Sequence, residues 1–287
     1  MAPATTNALT QSEIGADRRQ SWRRATWFDD QIARRSRWSW MWGAALAVRS
    51  SECIEMSEYE PQMSAERVEH LRRWHQMTSD ALHELGSHDV SYLGLDLHVP
   101  AEVFAPTPTS DLLGRLVSTR VRAGQRVLDM GCGAGANAIL AAQVTDDVMA
   151  VDVNPAAVEA TAANALRNGV GAHVTARVSD IFDNVTGDFD LIVIDPPFRW
   201  FPPRDMLERA FTDKNYRSLG RFMSGVSGRL RRGGEVLLFF GSSGDVAHLD
   251  SLIVDTGLSS TVLAERVVAV RGEDTMYFVR SITPSRS

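Results

Sequence analysis

Apolar residues recur along this chain in short blocks that are separated by polar and glycine-containing segments. The blocks near 127–130, 148–151, 189–194 and 235–240 consist mainly of valine, isoleucine, leucine, methionine and phenylalanine. Such continuous apolar runs are typical of strands that are buried on both faces, as in a parallel sheet. Helix-forming segments such as 137–143 lie between them. The alternation predicts an α/β domain with a mostly parallel sheet.

The pattern beyond this region predicts further elements. We expect a short helix over 203–211, a longer helix over 216–230 that is closed by 231–234, and a third helix over 245–255. Two apolar segments follow, one near 262–270 and one near 275–282. Their short connection predicts an antiparallel pair at the edge of the sheet.

A different pattern precedes the sheet. Apolar positions from Val68 to Leu85 fall near one face of a helix, with Ser64 as its predicted N-cap and Gly86 as its stop. Alternating residues over 92–98 predict a strand that leads into the main domain.

The first apolar strand ends in a glycine-rich turn. Gly131, Gly133 and Gly135 follow the strand and precede a helix, and glycines at this place let the backbone approach a ligand. Asp152 ends the next strand, about twenty residues after the glycines, where an acid can hold ribose hydroxyls. Strand, glycine turn, helix, strand and terminal acid in this order indicate a site for an adenosine-containing ligand.

The spacing within the turn distinguishes two such ligands. The dinucleotide fingerprint is G-x-G-x-x-G, whereas Gly135 comes one residue early. Asp129 lies two residues before the first glycine, where a carboxylate is poorly placed beside a pyrophosphate but could help hold a cationic amino-acid group. Both features favour S-adenosylmethionine over a nicotinamide cofactor.

The strand 189–194 runs directly into Asp195-Pro196-Pro197-Phe198. Two prolines in succession restrict the backbone and remove two N–H donors, which leaves a rigid rim of acceptors beside an aromatic ring. Such a rim suits a flat, donor-bearing nitrogen that is held by Asp195 and stacked on Phe198. Taken alone, the motif is also compatible with a strand that ends in a stiff turn.

Together these segments resemble class I S-adenosylmethionine-dependent methyltransferases over roughly residues 95–282. Asp129–Gly135 resembles the first motif of that family, Asp152 its ribose-binding acid, and Ser179–Ile181 the segment beside the adenine. Asp195–Phe198 is similar to the (Asp/Asn)-Pro-Pro-(Phe/Tyr) motif of the branch that methylates planar nitrogens. The resemblance implies an α/β fold with a Rossmann-like, doubly wound sheet of seven strands and an antiparallel last strand.

A narrower resemblance lies just upstream. Glu102–Leu113 is similar to the segment that precedes the first motif in protein-glutamine (release factor) methyltransferases and methyltransferase small-domain proteins. Those proteins carry an acidic residue and a threonine where this chain has Thr109 and Ser110. Ser110 keeps the hydroxyl that is expected to face the cofactor, whereas the missing acid argues against glutamine as the acceptor.

The resemblance also implies roles for individual residues. The residues expected to bind S-adenosylmethionine, and its product S-adenosylhomocysteine, are Ser110, Asp129, Gly131, Cys132, Gly133, Gly135, Asn137, Asp152, Val153, Asn154, Asp180, Ile181 and Asp195. The expected catalytic residues are Asp195, Pro196 and Phe198. The residues expected to contact the methyl acceptor are Pro197, Phe198, Arg199 and Trp200. The sequence has no metal-ligand spacing, so no metal is expected.

Composition bears on the acceptor. The net charge of −6 provides no overall positive field that would attract nucleic acid. We therefore expect an amide, guanidine or amine nitrogen of a small molecule or a protein side chain to receive the methyl group. A nucleobase of RNA or DNA is the alternative, since the same motif serves adenine and guanine. A non-catalytic, cofactor-binding scaffold is a lesser alternative.

Cysteine use and the first residues bear on location. Cys53 and Cys132 are far apart in the sequence, so a disulfide framework is not expected and a cytoplasmic location is the default. The N-terminus lacks a basic segment followed by an apolar core, which argues against a secretory signal. The apolar run 38–48 is too short to span a bilayer, so no membrane association is expected.

The chain divides into three predicted parts. Residues 1–20 are polar and expected to be disordered, 21–95 form a mainly helical appendage, and 96–287 form the methyltransferase domain. Six of the seven tryptophans precede residue 96. We expect them to belong to a lid or a homodimer element. Walls of the substrate pocket and a nucleic-acid contact are the alternatives.

Overall fold

The computed structural model describes residues 59–270 and 273–285. The predicted tail 1–20 and the five tryptophans before residue 59 lie outside the described residues. No helix in the described part of the chain is long and apolar enough to cross a membrane.

Nine strands and seven α-helices make up the described region. The strands are β1 His88–Tyr92, β2 Leu95–Val99, β3 Arg126–Met130, β4 Asp147–Asp152, β5 Val174–Val178, β6 Phe189–Ile194, β7 Leu230–Gly241, β8 Leu258–Val270 and β9 Glu273–Pro284. The helices are α1 Ala65–Leu85, α2 Asp111–Arg120, α3 Ala136–Ala142, α4 Pro155–Arg167, α5 Met206–Arg209, α6 Arg217–Val226 and α7 Val246–Asp255. Short 3₁₀ turns at Lys214–Tyr216 and Ser227–Arg229 flank α6.

Seven strands form one sheet in the order β5-β4-β3-β6-β7-β9-β8. Strands β3 to β7 pair in parallel, and β9 pairs antiparallel with both β7 and β8. The Rossmann-like α/β sheet with an antiparallel last strand is therefore confirmed. The predicted antiparallel pair at the edge is confirmed as well, because β9 and β8 are the last two strands on that side of the sheet. Strand β9 is inserted between β7 and β8, and β8 forms the edge.

The register places the site. Met130 at the end of β3 lies opposite Val151 of β4 and Ile194 of β6. Because the carboxyl ends of parallel strands meet at one edge of a sheet, the segments after these three strands converge there.

The predicted strand over 92–98 is correct from Leu95 onward, where β2 begins, but the structure has a hairpin turn at its start. Strand β1 pairs antiparallel with β2 through a two-residue turn. Leu93 and Gly94 both have left-handed φ angles, 47° and 85°. These angles are those of a tight hairpin turn, which the dipeptide Leu-Gly does not signal in the sequence.

The segment 231–234 does not close the preceding helix as predicted. It belongs to the start of β7, whose register with β6 jumps from Phe189–Leu230 to Leu191–Glu235. Gly233 has a φ of 82°. The paired arginines and glycines therefore form an irregular entry to a strand.

The N-terminal helix α1 begins and ends where the sequence predicts. The Ser64 side chain accepts a hydrogen bond from the Arg67 backbone N–H at 3.2 Å, and Gly86 with a φ of 65° follows the last turn. Leu71 and Leu82 on its apolar face are buried, whereas Leu85 at its end stays exposed.

Helix α1 packs on the segment that follows β6. Leu71 joins the same hydrophobic cluster as Trp200 and Phe201. The Arg199 guanidinium lies over the Trp74 ring, 4.5 Å from its centroid. The appendage therefore covers the chain immediately after the Asp-Pro-Pro-Phe motif.

A buried carboxylate anchors this contact. Glu208, which is fully buried, accepts hydrogen bonds from the backbone N–H and the Nε of Arg204, each at 2.6 Å. It also accepts one from the Ser79 hydroxyl of α1. Arg204 in turn lies 3.6 Å from Asp80 of the same helix. The four side chains tie α1 to α5.

Glu208→Ala should lower the free energy of unfolding by about 2–3 kcal/mol, because the buried Ser79 hydroxyl and the Arg204 backbone N–H lose their acceptor. Urea denaturation followed by circular dichroism measures the change. Glu159→Ala, which removes an exposed carboxylate, should stay within about 0.5 kcal/mol of the wild type. Equal effects of the two substitutions would contradict the anchoring role of Glu208.

Candidate active site

A cavity of about 560 Å³ opens at the carboxyl edge of the sheet. Four of its lining segments lie at the carboxyl ends of strands: 130–134 with 136–137, 151–154, 179–181 and 194–197. The remainder of the lining comes mainly from the loop before α2 and from the segment between β6 and β7. The cavity thus brings together most of the residues that the sequence assigned to a cofactor, whereas of the four assigned to the methyl acceptor only Pro197 lines it.

The glycine turn, residues 131–135, forms one wall. The backbone N–H groups of Gly131 and Cys132 donate to the Val151 carbonyl at 2.8 and 3.0 Å. All three glycines have left-handed φ angles, 76°, 52° and 88°. A Cβ added at Gly131 would meet nothing within 4 Å, so the turn offers open space on its cavity side.

Asp129, the last but one residue of β3, links this strand to the helix that follows the turn. Its buried carboxylate accepts a hydrogen bond from the Ala138 backbone N–H in the first turn of α3, at 2.9 Å. Burial raises the pKa of this carboxyl to about 7, opposed by that hydrogen bond. Asp129 is not among the residues that line the cavity. Its predicted contact with the cofactor remains a prediction.

Gly135 has a packing role that the sequence did not reveal. It precedes α3 with a φ of 88°, and a Cβ there would lie 3.0 Å from the Thr161 Cα of α4. Like Asp129, it does not line the cavity. The third glycine therefore allows α4 to pack closely against the turn.

Asp152 connects the second strand to the turn. One carboxylate oxygen accepts from the Gly133 N–H at 3.0 Å, and the other accepts from the Asn154 N–H at 2.9 Å. Burial raises the pKa of Asp152, and these backbone hydrogen bonds oppose the shift. Asn154 caps α4 through Ala156 and donates to the Glu102 carbonyl at 2.8 Å. Asp152 and Asn154 both line the cavity, as does Val153.

Asn137 carries a buried oxygen whose partner is missing. Its Oδ1 has no hydrogen-bond partner among residues 59–270 and 273–285, and Asn137 lines the cavity. A buried polar atom of this kind indicates that a bound molecule completes the site. The open glycine turn, the Asp152 carboxylate and this amide fit a ligand with ribose hydroxyls and an amino-acid group.

Asp180 and Ile181 line the cavity on the side of β5. Ile181 has an unusual φ of 53°. Asp180 is paired with Arg221, whose guanidinium nitrogen lies 2.8 Å from its carboxylate.

Asp195 and Ser110 meet inside the cavity. The Ser110 hydroxyl donates to the Asp195 carboxylate at 3.3 Å. Burial raises the pKa of Asp195 to about 7, and the Ser110 hydrogen bond opposes this shift. Ser110 is itself held by Tyr92, whose hydroxyl donates to its carbonyl at 2.8 Å. Ser110, which belongs to the upstream motif, is thus hydrogen-bonded to Asp195, the predicted catalytic residue.

The remainder of the motif divides in two. Pro196 and Pro197 line the cavity, whereas Phe198, Arg199 and Trp200 are absent from its lining. Phe198 packs 5.1 Å from the Phe240 ring, and the other two side chains are buried under the N-terminal segment. The substrate contacts predicted for these three residues remain predictions.

Sequence reasoning missed one wall. Side chains from the segment after the motif also line the cavity: Pro203, Met206, Arg209, Ala210, Thr212, Asp213, Lys214, Arg217, Ser218, Leu219 and Arg221. The recurrence of basic residues in this segment is the signal that could have identified them. Among the residues that the structure describes, no group of three or more His, Cys, Asp or Glu side chains could hold a metal ion.

These features define the class of the protein. A Rossmann-like sheet with a glycine turn, an acid after the second strand and an Asp-Pro-Pro-Phe motif at one cavity is a class I S-adenosylmethionine-dependent methyltransferase domain. The family described as "Methyltransferase small domain" matches residues 100–243, which is half of the chain. The chain belongs to the methyltransferase small domain family, as its sequence motifs predicted.

Two curated relatives and one solved structure illustrate the similarity. The ribosomal protein L11 methyltransferase of Thermosipho africanus is 44% identical over 86 residues, or 30% of this chain and 32% of the relative. The ribosomal RNA small subunit methyltransferase C of Serratia proteamaculans is 36% identical over 109 residues, or 37% of this chain and 29% of the relative. The matches thus span about a third of each curated relative.

The solved structure is that of the T. thermophilus 16S rRNA N2 G1207 methyltransferase in complex with AdoMet and guanosine. It is 24% identical, with a TM-score of 0.52, and the match covers 70% of this chain and 50% of that one. This similarity confirms the fold.

Gly135→Ala should destabilise the protein more than Gly124→Ala, although both glycines have left-handed φ angles. The backbone strain is of order 1–2 kcal/mol at each position. Only Gly135 adds a steric clash with Thr161, because a Cβ at Gly124 meets nothing within 4 Å. Thermal unfolding compares the two variants. A loss at Gly124 that equals the loss at Gly135 would show that packing against α4 is not the constraint.

Proposed function

We propose that this protein is an S-adenosylmethionine-dependent N-methyltransferase that acts on a planar nitrogen of a small molecule or a protein side chain. The observation that carries the proposal is the shared cavity. The glycine turn, Asp152 and the Asp195–Pro197 rim all line it, so a cofactor site and an acceptor site are contiguous. The reactive groups are thereby held close together, which is the main contribution a protein makes to methyl transfer.

The residues that would hold the cofactor follow from the geometry. Asp152 would accept from the ribose hydroxyls, and Asp180 and Ile181 would border the adenine. The turn backbone and the unpartnered Asn137 oxygen would receive the methionine end. When bound, S-adenosylmethionine supplies a sulfonium methyl group that is already electrophilic.

The acceptor nitrogen needs orientation, because the lone pair of an amide, guanidine or aryl amine is delocalised. Asp195 and the Pro196 carbonyl would accept its two N–H bonds and turn the lone pair toward the methyl group. Asp195 would also take up the proton that the nitrogen releases. The pKa of this carboxyl, about 7, lies near neutral pH, where general bases are most effective.

Phe198 would assist from outside the cavity lining. Its ring packs against Phe239 and Phe240 of β7, and its carbonyl accepts from the Tyr216 hydroxyl at 2.5 Å. Both contacts would stiffen the rim that carries Asp195.

The choice of acceptor is the finer part of the proposal. Curated relatives are named for a ribosomal protein and for ribosomal RNA, so a nucleobase is the second candidate. The net charge of −6 supports a small molecule or a protein side chain over a polyanion.

Asp152→Ala should weaken S-adenosylhomocysteine binding by about one to a few kcal/mol, since buried ribose hydroxyls would lose a charged acceptor. Isothermal titration calorimetry gives the dissociation constants. Asp146→Ala, an exposed neighbour, should bind as the wild type does. Tight binding of NAD together with no binding of either methionine cofactor would refute the assignment.

Asp195→Ala should leave cofactor binding nearly intact and reduce turnover by about a hundredfold or more, because the lost hydrogen bonds matter most in the transition state. Formation of S-adenosylhomocysteine with metabolite, peptide and RNA pools measures turnover and ranks the acceptors. Asp195→Asn keeps an acceptor oxygen but no base, and should fall between wild type and Asp195→Ala. Wild-type rates in Asp195→Ala would exclude the proposed role.

Wild-type activity should rise with pH and level off above about 7, as Asp195 loses its proton. The contribution of Asp195 to the free energy of unfolding changes with pH in the opposite direction. Because the folded-state pKa is raised from 3.8, Asp195 favours folding most below pH 3.8, and this contribution is lost as pH rises to about 7. Rate and unfolding profiles of wild type and Asp195→Asn separate this carboxyl from Asp129. A flat rate profile between pH 5 and pH 8 would contradict the base role.

A further inference from the structure

One wall of the cavity is positively charged. Four basic residues from the segment between β6 and β7 line it, and we call them the cationic wall: Arg209, Lys214, Arg217 and Arg221. The chain as a whole carries a net charge of −6, and Lys214 is its only lysine. The cavity as a whole is not positive, because Glu102, Asp152, Asp180 and Asp195 line its other segments and Asp213 lies on this one. The positive charge is confined to the segment between β6 and β7.

Three of these basic side chains form no ion pair with the residues that the structure describes. Arg221 pairs with Asp180 and Asp183 at 2.8 and 3.0 Å. No ion pair or side-chain hydrogen bond joins Arg209, Lys214 or Arg217 to another residue within 59–270 and 273–285. The three side chains are also not enclosed by the protein: Arg209 is half-buried, and Lys214 and Arg217 are exposed.

Asp213, the acid next to Lys214 in the sequence, is already hydrogen-bonded to the backbone. One oxygen of Asp213 accepts from the Ser218 N–H at 3.1 Å, and the other accepts from the Leu219 N–H at 3.0 Å. These two amides belong to the first turn of α6, so Asp213 stabilises the start of that helix. Asp213 is therefore held by the helix and forms no salt bridge with the wall among the described residues, although the charge of Arg209 acts on both Asp213 and Asp152.

The backbone between two of the cations is strained. Asn215 and Tyr216 lie between Lys214 and Arg217 and have left-handed φ angles of 56° and 52°. Buried contacts enforce this turn, among them the hydrogen bonds from the Asn215 N–H to the Trp200 carbonyl and from the Tyr216 N–H to the Asp213 carbonyl. Strain of this kind, held in place by surrounding structure, is characteristic of functional segments.

We propose that the methyl acceptor carries an anionic group, a phosphate or a carboxylate, that Arg209, Lys214 and Arg217 bind. This inference rests on the proposed function, since it names the bound molecule as the acceptor. Guanidinium groups match both anions through paired N–H donors, and lysine adds a point charge. The anion at the wall and the nitrogen at Asp195 would fix the acceptor at two ends of one cavity.

The acceptor is the size of a metabolite. The cations line a concave space of about 560 Å³ that Pro203 and Met206 also border. A polynucleotide would have to extend beyond this space over the surface of a chain with an excess of acids. A small anion meets the cations without that repulsion.

The test measures anion binding directly. The triple variant Arg209→Gln, Lys214→Gln and Arg217→Gln is titrated with pyrophosphate and with citrate, in saturating S-adenosylhomocysteine that occupies the glycine turn. We expect at least one of the two anions to lose affinity by about tenfold or more at low salt, since three charged contacts are removed. Loss of pyrophosphate binding identifies a phosphate subsite, and loss of citrate binding identifies a carboxylate subsite.

The control triple variant is Arg122→Gln, Arg177→Gln and Arg232→Gln. It changes the net charge equally at exposed positions outside the cavity, and it should bind both anions as the wild type does. Equal losses in the two triple variants would attribute binding to the overall charge and overturn the proposal. So would unchanged anion binding in the cavity variant.

A third arm uses a twelve-nucleotide RNA. RNA binding that depends on the three cavity residues, with no binding of pyrophosphate or citrate, would overturn the metabolite in favour of a polynucleotide. The calorimetric affinity for S-adenosylhomocysteine is recorded in the same samples. If S-adenosylhomocysteine does not bind, the proposed function is refuted. Titration of the cofactor-free variants with the two anions would then still test the anion subsite.

Discussion

Two carboxylates hold the glycine turn, and the cavity depends on them. Asp129 at the end of β3 accepts from the first turn of α3, and Asp152 at the end of β4 accepts from the Gly133 N–H. Their strands are hydrogen-bonded neighbours in a parallel sheet, so the two acids secure the turn from both sides. The left-handed backbone of the turn is therefore stabilised by contacts within the protein and does not depend on a ligand.

The acceptor side of the cavity is held by the N-terminal part of the chain. Tyr59 donates a hydrogen bond to Asp245, whose own N–H donates to the Tyr216 hydroxyl at 2.8 Å. Tyr216 in turn donates to the Phe198 carbonyl. Together with the contacts of Ser79 and Trp74, this series connects α1, the Asp-Pro-Pro-Phe rim and the strained turn of the cationic wall. The described part of the appendage therefore contacts elements that lie behind the proposed acceptor site. Its predicted role as a lid or homodimer element stays a prediction.

The net charge of this protein is negative, whereas one wall of its cavity is positive. The average of −6 describes the whole chain, whereas recognition depends on the field inside a concave site. Burial raises the pKa values of Asp152 and Asp195, which line the cavity as half-buried side chains. Burial also raises the pKa of Asp213, and the charge of Arg209 partly opposes the shifts of Asp152 and Asp213. A negative protein can thus present a positive wall to a small ligand.

The sequence by itself determined the parallel sheet, the glycine turn, Asp152, the caps of α1 and the Asp-Pro-Pro rim, because each depends on local periodicity or on a motif of adjacent residues. Tertiary structure decided what depends on distant partners. The insertion of β9 beside β7 reflects long-range pairing, and the packing role of Gly135 depends on Thr161 of another helix. Phe198 ends the motif but packs against Phe239 and Phe240. Arg199 and Trp200 follow it and are buried against α1, while Arg209, Lys214 and Arg217 reach the cavity. Residues that adjoin a motif in the sequence line its site only if the backbone continues along the cavity. Here the chain after Pro197 leaves the cavity lining, and the hydrogen bond from the Tyr216 hydroxyl to the Phe198 carbonyl holds it there.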